Sequence, residues 1–194
     1  EEILGFFKKM VQNTHKEGYV YIALSFVIFI FATLLSGFLG FLMFLILGWC
    51  IYFFRDPERV TNTSEDIISS PADGIVVDIS KQIPPVDSGI NEEMQKISIF
   101  LNVFDVHVNR SPVSGIIETI SYHKGKFLNA SVDKASEENE RNTLVIGTSY
   151  GKVVVIQIAG LIARRIICNA STNQNIKSGE RYGIIKFGSR VDLY

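Results

Sequence analysis

The 194-residue chain carries 19 Lys and Arg against 20 Asp and Glu, so it lacks the basic footprint of a nucleic-acid binder, and no nucleic-acid partner is expected. Its length has room for one ordinary domain with an appendage, or for two small ones. Two cysteines, Cys50 and Cys168, sit far apart in apolar runs and read as small buried hydrophobes; with three histidines and no Cys/His cluster, no metal is expected. The first residue is Glu1 and not Met, which reads as a trimmed or processed chain.

Residues 1–18 place Ile3, Leu4, Phe6, Phe7, Met10 and Val11 at helical spacing beside Lys8, Lys9 and Lys16. This predicts an amphipathic segment, suited either to a membrane interface or to packing on the protein. From Tyr19 to Phe54 no residue is charged, a run of 36 positions. One continuous helix of that length would measure roughly 54 Å, against a hydrocarbon core of about 30 Å. Ser36-Gly37 and Gly40 permit a break near the middle, so the run predicts a helical hairpin of about 19–35 and 38–54. Basic residues flank it on both sides, which suits a hairpin with both ends in the cytoplasm. A single tilted crossing, or a hairpin dipping into one leaflet, are the alternatives. Pro57, in Phe53-Phe54-Arg55-Asp56-Pro57-Glu58-Arg59, marks the exit, and a β-rich domain is expected over 55–194.

In that domain short Val/Ile-rich runs recur at 75–79, 97–103, 113–122, 143–147, 152–158, 161–168 and 181–187. Their spacing predicts a mainly β fold, a compact barrel or sandwich. The polar stretch 130–142 reads as a surface loop. At the end, two apolar runs flank Gly188-Ser189, which predicts strand, tight break, strand. A serine after a conformationally free glycine can attack the preceding carbonyl, convert the amide to an ester, and lose that ester by β-elimination. The dehydroalanine so formed hydrolyses to a pyruvoyl group at the head of a new chain starting at position 189. A polar bulge between two strands explains the same dipeptide.

Other polar residues stand out. Asp73, in Ser70-Pro71-Ala72-Asp73-Gly74, is either a turn former or a functional carboxylate. In Phe104-Asp105-Val106-His107-Val108-Asn109-Arg110-Ser111-Pro112, an extended backbone would put Asp105, His107 and Asn109 on one face.

These segments come in order with Asn129-Ala130, Asp133-Lys134-Ala135-Ser136, Asn139-Glu140-Arg141-Asn142, Gln157-Ile158-Ala159-Gly160, Arg164-Arg165 and Phe187-Gly188-Ser189-Arg190. Together with the Phe-Phe-Arg-Asp-Pro-Glu-Arg exit, the set closely resembles the short-form phosphatidylserine decarboxylases. The resemblance spans 53–194 in motif and the whole chain in layout. It implies a proenzyme that cleaves itself between Gly188 and Ser189, giving β and α chains that stay associated. Its cofactor would be a pyruvoyl group derived from Ser189, whose carbonyl condenses with a serine phospholipid's amine and accepts electrons as CO2 leaves. Asp73 matches the aspartate thought to assist self-cleavage, and His107 the first histidine of the longer members' Asp-x-His-x-x-His pattern. Arg110 stands where the second histidine would fall, so one histidine serves both steps or another group does one of them. His123 matches no family histidine. Family members also continue past the Gly-Ser-Arg segment, so the stop at Tyr194 reads either as a truncation or as a chain whose further residues would supply a strand and part of the pocket.

The resemblance places the enzyme at the cell membrane, with the catalytic domain on the cytoplasmic side and homo-oligomerisation left open. An archaetidylserine decarboxylase would use the same residues. A non-catalytic, membrane-anchored β domain is the rival from a different class.

Overall fold

The computed structural model describes residues 13–62, 64, 66–126, 138–160, 165–186 and 188–194. The chain divides into two compact units, Glu1–Glu58 and Arg59–Tyr194. Of the amphipathic segment expected over 1–18, residues 1–12 lie outside the described residues.

In the first unit a 3₁₀ turn, Lys16–Gly18, runs into helix α1, Tyr19–Leu35; helix α2 spans Gly37–Phe53. The break falls at Ser36, whose extended backbone (ψ 132°) ends one helix and starts the next. Gly40 lets the helices close together: a Cβ there would lie 2.4 Å from Thr33 Oγ1. Each helix has 17 residues, a length of about 26 Å. Counted from Lys16, the first apolar helix reaches 20 residues with a mean hydropathy of 2.3, long and apolar enough to cross a membrane.

The second unit is mainly β, with two antiparallel sheets. Its strands are β1 Ile75–Gln82, β2 Met94–Leu101, β3 Val108–Arg110, β4 Gly115–His123 and β5 Arg141–Thr148, followed by β6 Gly151–Ala159, β7 Arg165–Cys168, β8 Asn175–Ile176, β9 Arg181–Lys186 and β10 Ser189–Leu193. Seven strands form one sheet in the order β1-β2-β10-β6-β5-β4-β8, and β3-β9-β7 form the other. The period-two pattern decides which side chains meet. Leu144, Ile146, Val153, Val155, Val191 and Leu193 face Ile166, Tyr182 and Ile185 of the smaller sheet and build the main core. The alternate residues Val145, Val154, Ile156 and Ile158 form a second cluster with Tyr194 on the opposite face.

Two sequence expectations shift. Asp105, His107 and Asn109 do not share one strand face, because β3 starts only at Val108 and Asp105 belongs to the turn before it. Of the loop expected over 130–142, residues 130–137 lie outside the described residues and Arg141 already begins β5.

Candidate active site

The Gly188-Ser189 break is a corner between sheets. Strand β9 lies in the three-stranded sheet, while β10 enters the centre of the seven-stranded one between β2 and β6. Gly188 makes the corner with φ +65°, a left-handed conformation that a Cβ disfavours. Nothing stands within 4 Å of where that Cβ would be, so backbone geometry and not space calls for glycine.

Ser189 opens β10 opposite Leu101 and Ala159, with its side chain on the face of Val191 and Leu193, toward the main core. It is fully buried, and its Oγ has no hydrogen-bond partner among the described residues. A buried hydroxyl left in that state costs about 1–3 kcal/mol.

His107, also fully buried, reaches the corner. The Gly188 N–H donates to His107 Nε2 at 3.2 Å, and His107 Nδ1 lies 3.0 Å from the main-chain oxygen of Asp105. A carbonyl only accepts and an amide N–H only donates, so the proton sits on Nδ1 and the lone pair on Nε2. The ring is a neutral base whose basic nitrogen lies against the residue before Ser189.

Asp73 lies in the bend before β1, at the same end of the sheet as Ser189, since Ile75 pairs with Phe100 and Phe100 with Arg190. Strand β2 stands between them. The exposed Asp73 carboxylate is held by Arg59 Nη2 at 2.5 Å. The structure therefore brings His107 to Gly188 and gives Asp73 a different partner. His123 ends β4 and is exposed.

A chain of buried amides was not assigned a role from sequence. Asn142 Nδ2 donates to Gln157 Oε1 at 3.0 Å, and Gln157 Nε2 donates to Asn109 Oδ1 at 2.8 Å. That order leaves Asn109 Nδ2 as the open donor, buried and without an acceptor among the described residues. Asn109 lies two residues after His107, and Gln157 pairs in register with Val191. The signal in the sequence was polar residues at inward positions of otherwise Val/Ile-rich strands. Burial pushes the Cys168 thiol above its ordinary range, with hydrogen bonds to Ala170 and Asn142 opposing, so it stays protonated and unreactive at neutral pH. Among the described residues, no three His, Cys, Asp or Glu cluster as a metal site. A cavity of about 410 Å³ beside Tyr150 and Lys152 lies at the β5–β6 turn, the opposite end of β6 from Ala159, and is separate from this site.

A buried serine, a left-handed glycine before it and an imidazole on that glycine's amide thus meet at one corner. Residues 46–194 match the family model for phosphatidylserine decarboxylase. The chain is 52% identical to the phosphatidylserine decarboxylase proenzyme of Rickettsia felis over 185 residues, covering 93% of this chain and 79% of that protein. It is 49% identical to the proenzyme of Pelagibacter ubique over 189 residues, covering 96% and 88%. The chain belongs to the phosphatidylserine decarboxylase family and is a decarboxylase of phospholipid metabolism.

Proposed function

We propose that this enzyme cuts itself between Gly188 and Ser189 and then converts phosphatidylserine to phosphatidylethanolamine and CO2 at a pyruvoyl group made from Ser189. The observation that carries the reading is the contact of His107 Nε2 with the Gly188 N–H, beside a buried Ser189 Oγ with no partner.

For self-cleavage, Nε2 leaves the Gly188 amide and takes the Oγ proton. Oγ bonds to the Gly188 carbonyl carbon, the imidazolium returns the proton to the Ser189 nitrogen, and the C–N bond breaks to leave an ester. A base then removes the Ser189 Cα proton, Cβ–Oγ breaks, and the Gly188 carboxylate leaves as the new C-terminus. Water adds to the imine form of the resulting dehydroalanine and ammonia departs, leaving the pyruvoyl carbonyl. Asn109 Nδ2 offers a donor to the oxygen that carries negative charge during the acyl shift.

The residues fit the group expected at position 189. The inner face of β10 offers a buried site, His107 offers a base, and Asn109 offers a donor for a carbonyl oxygen. When present, a pyruvoyl group supplies the electrophilic carbonyl and electron sink that no amino-acid side chain provides. Around it the protein excludes water, and His107 holds or delivers a proton at the substrate α-carbon. Asp73 remains an auxiliary of self-cleavage in this reading, which requires Arg59 to release it.

The apolar hairpin supports membrane attachment beside the lipid substrate, with Lys16 before it and Arg55 after it favouring the cytoplasmic side. Intact-mass measurement of the purified protein is the test. Two fragments meeting at 188/189, the smaller bearing a pyruvoyl, together with CO2 release from phosphatidylserine vesicles, are expected. A single uncut chain that still decarboxylates the lipid would overturn the reading.

A further inference from the structure

The sequence before His107 builds a turn with reciprocal side-chain braces. Asp105 N–H donates to the Asn102 carbonyl at 3.0 Å, closing the turn. Asn102 Oδ1 accepts the Phe104 N–H at 2.8 Å, and Asp105 Oδ2 accepts the Asn102 N–H at 2.9 Å. Short Asn and Asp side chains satisfy nearby amides in this way and stiffen the turn they occupy. The Asp105 carbonyl is thereby aimed at His107 Nδ1, 3.0 Å away. On the far side of the ring residue, the His107 carbonyl accepts the Ile185 N–H at 3.3 Å, tying it to β9.

We propose that Asp105 is the positioning residue for His107: its side chain braces the turn, and its main-chain carbonyl holds the Nδ1–H tautomer. In an Asp-His-Ser relay a carboxylate performs that task. Here the position is filled by a backbone oxygen, while the Asp73 carboxylate is engaged by Arg59. During the acyl shift the Nδ1 proton stays in place, donated to the Asp105 carbonyl. Nε2 alone takes the Oγ proton and passes it to the Ser189 nitrogen. A neutral carbonyl supports this cycle less strongly than a carboxylate.

The proposal rests on the self-cleaving reading for its kinetic arm but has a direct arm as well. Protein with ¹⁵N-labelled histidine, in the uncut Ser189→Ala form, is examined by NMR for the His107 tautomer. The expected signal is Nδ1–H, unchanged by Asp73→Asn and converted to mixed tautomers by Asp105→Ala. Asp105→Asn keeps an acceptor for the Asn102 N–H and should retain the Nδ1–H form. In the cleavable protein, Asp105→Ala should slow self-cleavage by about 10²-fold, as expected for a base displaced by about 1 Å, with Asp105→Asn restoring most of the rate. An Nε2–H tautomer, a tautomer that follows Asp73, or wild-type cleavage in Asp105→Ala overturns the proposal. A wild-type protein that never cleaves, yet shows the Asp105-dependent Nδ1–H signal, sinks the functional reading and leaves this one standing. Should Asp105→Ala fail to fold, the Ser189→Ala and Asp73→Asn spectra and the Asp105→Asn rate still decide it.

Discussion

Ser189 and Arg190 are neighbours on β10, but their side chains leave the strand on opposite faces and meet different surroundings. On the inner face the Ser189 hydroxyl is buried with no partner among the described residues, and Asn109 Nδ2 is left in the same state. On the outer face Arg190 grips Asp192 with Nε at 2.7 Å and Nη2 at 3.0 Å. Lys96 lies 3.8 Å from both Asp192 and Asp78 and donates to Gln82 Oε1 at 3.1 Å. Two cations thus face two carboxylates, and the outer charges balance. On the outer face the ion pairs close on themselves, and Ser98 Oγ, opposite Asp192, is the buried atom without a partner among the described residues. On the inner face the unpaired atoms, Ser189 Oγ and Asn109 Nδ2, lie where the proposed chemistry would use them.

The sharpest way to break this contrast is Ser189→Ala. It removes nucleophile and leaving group together, so denaturing gels should show one uncut chain and no CO2 release. The fold should be unharmed, because no described hydrogen bond is lost. Ser189→Thr keeps the nucleophile and is expected to cut slowly. Next in size is Asp192→Ala on the outer face, which removes the carboxylate that grips the buried Arg190 guanidinium with two hydrogen bonds. Stability should fall by about 3–5 kcal/mol, read as a shifted urea midpoint in the Ser189→Ala background so that cleavage does not interfere.

Asn109→Ala tests the inner face from its other side. Loss of the open donor should slow self-cleavage by about 10²-fold, with a stability cost of about 1–3 kcal/mol for the Gln157 amide left unpaired. A stability loss with an unchanged cleavage rate would make Asn109 structural and dissolve the contrast.

The smallest expected effect lies at Asp87, beside β5. Burial alone would raise its carboxyl, but hydrogen bonds from Thr143 and Arg141 and the Arg141 charge outweigh that and hold it below the ordinary range. A lowered folded-state value contributes stability above the unfolded value near 3.9, and that contribution is lost as pH falls through the folded value. Asp87→Asn should therefore cost about 1 kcal/mol at pH 7 in urea unfolding, a difference that shrinks as pH falls below the ordinary carboxylate range and the folded-state carboxyl takes up its proton.

Much of this was legible in the sequence, for physical reasons that differ by region. The hairpin followed from the charge-free run and the Ser36-Gly37 break, since backbone left without packing must be satisfied locally. The longer strands followed from alternation, as in β6, where Val153 and Val155 enter one core and Val154 and Ile156 the other. The two-residue strand β8 has no pattern to find. The turn at Asp105 was not legible, because Asn102 and Asp105 announce a turn only once their mutual bonds are seen. Arg190 and Asp192 look like an exposed face by composition. Only the sheet order, set by distant segments, reveals them as interior. Ser189 and His107 were singled out in the sequence, but the contact of His107 with Gly188, the residue before Ser189, depends on a β3–β9 pairing that no local pattern encodes.

The corner at Gly188 joins strands that belong to different sheets, and this gives the proposed cut a direction. Once the peptide is severed, one new terminus is held by β9 in the small sheet and the other by β10, which is hydrogen-bonded along both edges. The segment that begins at residue 189 keeps its place as an inserted strand, so the fragments should co-elute without any covalent link. The two ends no longer share a left-handed hinge that presses them together. With the Ser189 nitrogen lost as ammonia no amine remains for religation, and the step behaves as a ratchet: the fold that assembled the reactants cannot reassemble them from the products.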